Sequence, residues 1–446
     1  MERDHTEQVV ITGFGAVTPV GNDRESTWRN LVAGNSGVGP ITAFDASELA
    51  VRIAAEVRDF DPERYLDRRR LRRTARFAQF AIAAAREALA DAGLEIGDGA
   101  GTRGSPGSGS PGSGSPVHGN PVHGSPGSGS PVSGSDVGVV INAAVAGFDT
   151  IEAAARRLVD GQGLSPYFVP SSLTNMPACE VSIDLGVHGP VHAGAYACAS
   201  GSEALLRARQ LILAGEAEVV IAGGTDAGIT PVTFGGLIPT GALSRRNDDP
   251  AGACRPFDAD RDGFVYGEGA VIAVVESAGH AAARGATPYA EIKGGALTAD
   301  GFHVTAPEPG GRYAADAIRL ALRRTGTDPA DVDYIVAHAT GTAAGDRAET
   351  LAIRQALGPA ADQAAVSSPK SITGHLIGAA GALSAMVCAL AMRDGIAPPT
   401  INLKTPDPDC DLDHVGNVAR QLPVRTAITN TFGFGGQNCV TVFTAV

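Results

Sequence analysis

Apolar positions fall into two alternating kinds of segment. Short β-branched runs end at or near glycine: "VVITGFGAVTPVG" from residue 9, "DVGVVINAAVAG" from 136, "AEVVIAGGTDA" from 217 and "AVIAVVESA" from 270. "EIKGGALTADG" from 291, "VDYIVAHATGT" from 332 and "AITNTFGFGGQN" from 427 follow the same pattern. Such runs predict strands, each breaking into a glycine loop. Between them lie longer segments. "FAQFAIAAAREALADAG" predicts a helix stopped at Gly93, and "SGSEALLRARQLILAG" one stopped at Gly215. "GAAGALSAMVCALAM" predicts a small-residue helix buried on most faces. Strands alternating with helices give an α/β class. The strand-then-glycine pattern near residue 8 repeats near 288, which hints at two similar halves, 1–285 and 286–446.

One stretch breaks the pattern. From about 101 to 135 the chain carries a Gly/Ser/Pro loop with a repeating GSP unit. It has nothing to bury, so a mobile, dispensable surface tether is expected. His118 and His123 within it read as repeat residues, not metal ligands.

With 446 residues, 43% of them hydrophobic, the chain can build a large core. No run of about 18 apolar residues suggests a membrane span, and the charged start does not read as a signal peptide, so a cytoplasmic location is expected. A net charge of -13 argues against nucleic acid as a partner. A local basic cluster remains, "DRRRLRRTAR" at 67–76, which reads as a solvated helix face or as a dock for an acidic protein. None of the six cysteines forms a C-x-x-C pair, and no histidines fall at zinc spacing, so neither disulfides nor a metal are expected.

Cys198 stands out. "HAGAYA" before it suits a strand and the residues after it a helix, which puts the thiol at a strand-to-helix corner. Helix N-terminal amides favour thiolate over thiol; the plain alternative is a buried corner cysteine. Two histidines change the balance. His338 ends a strand among small residues, and His375 precedes the small-residue helix, with Lys370 five positions earlier. "FGFGG" at 432–436 adds backbone N–H donors able to hold an oxyanion.

"ACASG" at 197–201, "HATGTAAGD" at 338–346, "KSITGHLIGAAG" at 370–381 and "FGFGGQN" at 432–438 together resemble the β-ketoacyl-ACP synthases of the condensing-enzyme family. The likeness is strongest to synthase II and to ketosynthase α subunits of type II polyketide systems. "RPFDADRDGFVYGEGA" and "PPTINL" agree with it. The resemblance implies a thiolase-like fold, two similar βα halves in αβαβα layers, and normally a homodimer or heterodimer. It implies that Cys198 carries the acyl chain, that the N–H groups of Cys198 and Phe434 form the oxyanion hole, and that His338 and His375 hold the malonyl thioester oxygen. Lys370 and Glu349 match a charged pair fixing the second histidine loop. Val145, Tyr196, Leu237, Thr340, Thr342, Phe432 and Gly435 are the implied substrate contacts. Arg68, Arg69, Arg72 and Arg73 are the implied acyl-carrier-protein face. No cofactor is implied, since the carrier brings its own phosphopantetheine.

The chain departs from the family pattern at several places. Tyr196 replaces a Thr, Ala339 a Gly, Val336 an Asn, Val145 an Ile, Leu237 a Phe, and Gly241 an Arg. These changes fall on the acyl tunnel and carrier surface, so they favour a polyketide-type enzyme with a non-standard chain. A non-catalytic partner subunit that controls chain length is the alternative, as is a thiolase. Intact Cys198, His338 and His375 oppose the first, and the second His with "GFGG" opposes the other.

Overall fold

The computed structural model describes residues 7–97, 131–145 and 147–446. The tract expected to be a mobile tether lies, for the most part, outside the described residues.

Two halves repeat one topology. The first uses β1 (Val9–Val17), β2 (Val137–Asn142), β3 (Val191–His192), β4 (Val219–Asp226) and β5 (Gly269–Ser277), in spatial order β3-β2-β4-β5-β1. The second uses β6 (Ala290–Ala299), β7 (Tyr334–Val336), β8 (Ala365–Ser367), β9 (Thr426–Gly433) and β10 (Gln437–Thr444), in order β8-β7-β9-β10-β6. Parallel and antiparallel neighbours match as well: β2 pairs parallel with β3 and β4, and β7 with β8 and β9. The other ladders among these ten strands are antiparallel, and β8 also pairs parallel with Asp413–His414 at the sheet edge. The halves join where Val10 faces Glu291 and Ile11 faces Ala290 across β1 and β6.

Helices supply the remaining layers. α1 (Arg76–Ala92) and α2 (Met176–Leu185) cover the outer face of the first half. α4 (Arg312–Thr325) and α5 (Ala343–Leu357) cover the second. α3 (Ser200–Leu213) and α6 (Ala380–Asp394) lie between the strands of the two halves and touch both sets. The result is an αβαβα stack. Helix α6 is buried from Ala380 through Ala391, which explains why its composition is alanine-rich and carries little amphipathic signal. The apolar segment Ile377–Asp394 is long enough to cross a membrane but is 83% buried as this core helix.

The glycines of β1 and β6 do not end their strands, contrary to the sequence expectation. β1 runs on through Gly13 and Gly15 because α1 packs directly on the backbone there. A Cβ on Gly15 would stand 1.9 Å from the Ala84 carbonyl oxygen, and one on Gly13 2.3 Å from that of Ala88. Gly295 does the same in β6, where a Cβ would meet the Val440 carbonyl oxygen at 2.3 Å. The strand expected before Cys198 is only Val191–His192; residues 193–196 are irregular.

Candidate active site

α3 and α6 occupy equivalent places in the two halves, each between the third and fourth strand. Each is entered through one turn of 3-10 helix, Ala197–Ala199 and Ile377–Ala379. Each turn starts on a left-handed residue, Ala197 at φ 47° and Ile377 at φ 50°. Such a backbone is costly for any non-glycine residue and most of all for a β-branched one. The strain is maintained by packing. α3 and α6 cross so closely that a Cβ on Gly201 would lie 2.5 Å from the Ala382 nitrogen, and one on Gly381 2.5 Å from the Ser202 nitrogen.

The two elbows bring Cys198 and His375 together. His375 Nε2 stands 3.0 Å from Cys198 Sγ, and Ile377 N–H donates to His375 Nδ1 at 3.3 Å. That second bond makes Nδ1 the acceptor and leaves the ring proton on Nε2, facing sulfur. His338 meets His375 edge-on, with ring centroids 5.5 Å apart. Ligating atoms of Cys198, His338 and His375 all lie within 4.8 Å of one another. His338 Nδ1 is buried and has no hydrogen-bond partner among the described residues.

The backbone N–H groups of Phe434 and Cys198 lie near enough to the Cys198 sulfur to favour its charged form. This is the arrangement an oxyanion hole needs. It depends on Gly433, whose Cβ would stand 2.9 Å from the Tyr196 carbonyl oxygen and 3.2 Å from the Cys198 nitrogen. The equivalent last residue of β4 is Asp226, fully buried. Its carboxylate accepts from Gly378 N–H at 2.7 Å, and from Ala144 and Val145 N–H at 3.1 and 3.0 Å. The amide of Gly378, which corresponds to that of Cys198, is thus spent on a carboxylate, whereas the Cys198 amide stays available.

Charges around the sulfur oppose one another. Burial raises the Cys198 thiol to about 11 despite the Lys370 ammonium and the two amides. The sequence expectation of a thiolate favoured by the helix N-terminus is therefore corrected: desolvation outweighs the dipole, and the resting group is a neutral thiol. Burial also holds His338 and His375 well below their ordinary value, with Lys370 adding to it. Both imidazoles are neutral at pH 7.

Glu349 is corrected as well. It accepts from the N–H groups of His338 at 2.8 Å and Ala339 at 2.6 Å, and from Asn430 Nδ2 at 3.0 Å. It therefore fixes the first histidine loop, not the second. Asp346, one turn earlier on α5, accepts from Gly341 N–H at 3.1 Å. The spacing of "HATGTAAGDRAE" thus serves one helix whose carboxylates reach back to hold the loop before it. Lys370 is fully buried beneath the site, and its Nζ makes no hydrogen bond among the described residues.

A cavity of about 1060 Å³ opens onto these groups. Val145, Leu237, Thr340, Thr342 and Phe432 line it, as expected, and so do Gly241 and Phe434. Tyr196 and Gly435 do not. The Tyr196 hydroxyl turns to Glu203, and its ring packs against the core behind the nucleophile. Gly435 is solvent-exposed and hydrogen-bonded to the Val304 carbonyl. Ala339 is buried behind the His338 loop and Val336 lies in β7. In the basic cluster, Arg68, Arg69 and Arg72 are exposed, while Arg73 is half-buried and lies over the Tyr167 ring at 5.7 Å. Asp226, Asn142 and Tyr266 are site residues that sequence reasoning missed. Asn142 binds Gly194 N–H at 2.6 Å and the Ser200 carbonyl at 3.0 Å, so it shapes the loop leading to Cys198.

Residues 6–113 and 126–281 match the model of the beta-ketoacyl synthase N-terminal domain, and residues 289–404 that of its C-terminal domain. The gap at 114–125 falls inside the Gly/Ser/Pro tract. The 3-oxoacyl-[acyl-carrier-protein] synthase 2 of Synechocystis sp. is 42% identical over 98% of both chains. That of Coxiella burnetii is 43% identical over 98% of this chain and 99% of its own. Among solved structures, the ishigamide ketosynthase/chain length factor superposes with a TM-score of 0.85 at 32% identity, covering 99% of each chain. A type II PKS ketosynthase in complex with its acyl-carrier protein gives 0.84 at 31% identity, covering 99% of this chain and 100% of that one. With its two mirrored elbows, its thiol between two amides and its pair of neutral imidazoles, the chain belongs to the β-ketoacyl synthase family.

Proposed function

We propose that this chain condenses an acyl group held on Cys198 with a malonyl group carried by acyl carrier protein, releasing carbon dioxide. One observation carries this reading: the Cys198 sulfur lies 3.0 Å from His375 Nε2 and within 4.8 Å of the ring nitrogens of His338 and His375, in the wall of a large cavity, with the Cys198 and Phe434 amides near it.

The first step is thioester exchange. The Cys198 sulfur bonds to the acyl carbon, whose carbonyl oxygen is held by the Cys198 and Phe434 amides. The carbon–sulfur bond to the carrier breaks, and the thiol proton ends on the departing carrier thiolate. In the second step the malonyl C–CO₂ bond breaks and its electron pair enters the thioester as an enolate. His338 and His375 donate N–H bonds to the enolate oxygen. Because both rings are neutral, they stabilise this charge without delivering a proton that would quench the carbanion. The carbanion then bonds to the acyl carbon, the Cys198 thioester breaks, and the sulfur regains a proton from solvent. The products are a β-ketoacyl carrier, carbon dioxide and free Cys198.

The carrier's acidic surface would meet the exposed guanidinium groups of Arg69 and Arg72. Exposed apolar side chains at Leu158, Val159, Val169 and Ile183, together with the edge strand β3, support a subunit interface, in a homodimer or heterodimer. Six free cysteines suit a reducing cytoplasm. The intact thiol and both histidines disfavour a purely scaffolding, chain-length-controlling subunit. The test is mass spectrometry of Cys198 after incubation with acyl-carrier protein, followed by release of labelled carbon dioxide from malonyl-carrier. Acylation and condensation are both lost in C198A if the reading holds. Unchanged condensation in C198A overturns it.

A further inference from the structure

Tyr266 is an anomaly in the wall of the cavity. It is 1% exposed, and its hydroxyl makes no hydrogen bond among the described residues. A phenol removed from water without a partner costs roughly 1–3 kcal/mol, so buried tyrosines normally find one. The ring is fixed by its neighbours: it packs against Phe234 with centroids 5.8 Å apart, and its backbone bridges to His375. The hydroxyl lies over the backbone of Gly228, 2.3 Å from where a Cβ would stand, and only glycine tolerates it there. The same point is 3.4 Å from Val145 Cγ1. Tyr266 and Val145 thus approach each other in the wall of the cavity that Leu237, Ile377 and Cys198 also line. Two polar groups of this region are already bonded. The Thr233 hydroxyl is paired with Thr230, and both Asp226 oxygens take backbone amides.

We propose that Tyr266 reads an oxygen on the acyl chain: when a chain on Cys198 displaces the Val145 side chain, the hydroxyl donates to an in-chain carbonyl or hydroxyl. The preferred primer is then a partly or wholly unreduced acyl chain, not a saturated one. The supplying reaction is an earlier condensation whose keto group was not fully removed. Burial, and after it the nearby Asp226 carboxylate, hold the phenol well above its ordinary value, so it stays a donor at every physiological pH. Val145 matters because it lines the cavity beside the hydroxyl; a larger residue there would screen it.

This inference rests on the condensing-enzyme reading, and the experiment separates the two. The full chain is incubated with N-acetylcysteamine thioesters of a saturated ten-carbon chain and of its 5-oxo, 7-oxo and 9-oxo forms, and acylation of Cys198 is followed by mass spectrometry. The expected result is that at least one oxo chain loads about fivefold to a hundredfold faster than the saturated chain. In Y266F, which removes only the unpaired oxygen, that ratio falls toward one while the melting temperature does not drop. V145I, a second variant at a separate residue, lowers the ratio by shielding the hydroxyl. A ratio near one for every oxo chain in the native protein, or a ratio unchanged in Y266F and V145I, overturns the inference and leaves the condensing-enzyme reading intact. No acylation by any of these chains or by acyl-carrier protein overturns both.

Discussion

Cys198 and Gly378 are equivalent residues of the two halves, each one position past a left-handed elbow and each at the entrance to a central helix. Their amides meet different ends. The Gly378 amide is capped by Asp226 at the tip of β4. The Cys198 amide faces Gly433 at the tip of β9, where no side chain intrudes. The duplicated scaffold thus holds one amide bonded to a carboxylate and one left open beside a glycine. G433A tests this. Its Cβ would press on the Tyr196 carbonyl and the Cys198 nitrogen, spoiling the oxyanion geometry. We expect kcat to fall about 10²–10³-fold, the usual cost of one lost oxyanion donor. Stopped-flow acylation of Cys198 checks it.

The crossing of α3 and α6 sets where those elbows stand. Gly201 and Gly381 each face the backbone of the opposite helix at a distance that admits no methyl group. G201A and G381A must push the helices apart. Each is expected to lower stability by about 1–3 kcal/mol, as overpacking does in tight cores. Because the shift separates Cys198 from His375, activity falls further than the folded fraction does. Chemical denaturation alongside turnover distinguishes the two effects.

The site was legible where chemistry has its own signature. A thiol before a helix, two histidines among small residues and a glycine-rich strand end pointed to Cys198, His338, His375 and the 432–436 backbone, the family resemblance implied Phe434 within it, and the repeat near residues 8 and 288 pointed to the duplication. What failed was local geometry. Gly13 and Gly15 read as a loop, but a helix pressing on a strand demands glycine just as a turn does. Tyr196 lies two residues from the nucleophile yet points away from the cavity, since its direction is set by Glu203 and not by sequence distance. Asp226, Asn142 and Tyr266 were invisible because each is a lone polar residue in an apolar run. Their meaning depends on backbone amides or a cavity wall supplied by segments far along the chain.

Glu349 gives a pH prediction with a definite sign. Burial raises its carboxyl to about 7. The unfolded chain, where a Glu ionises near pH 4.3, binds fewer protons than the folded one across that window. This site's contribution to stability therefore falls as pH rises from about 4.5 to 7. E349Q cannot titrate, so the stability difference between the native protein and E349Q shrinks across the window, by on the order of 1–3 kcal/mol. Activity moves the other way. The ionised carboxylate grips the His338 and Ala339 amides best, so decarboxylation rises through pH 7 in the native protein. In E349Q that pH dependence is lost and the rate is about 10–100-fold lower. Denaturant titrations and carbon dioxide release at matched pH values check both halves.

The carrier face yields a prediction separable from the chemistry. Arg68 is exposed but lies 3.6 Å from Glu63, and Arg73 covers Tyr167, so each is partly engaged within the chain. Arg69 and Arg72 are the exposed members with no ion pair among the described residues. If an acidic carrier docks here, reversing both charges removes attraction and adds repulsion, and the effect should weaken with salt as exposed charges are screened. R69E/R72E should therefore lower kcat/KM for a carrier-bound acyl group at least tenfold more than for the matching N-acetylcysteamine thioester. Raising ionic strength should narrow that gap by slowing the native protein more than the variant. An equal loss on both substrates would place the damage in the fold, not at the dock, and would move the carrier site elsewhere on the surface.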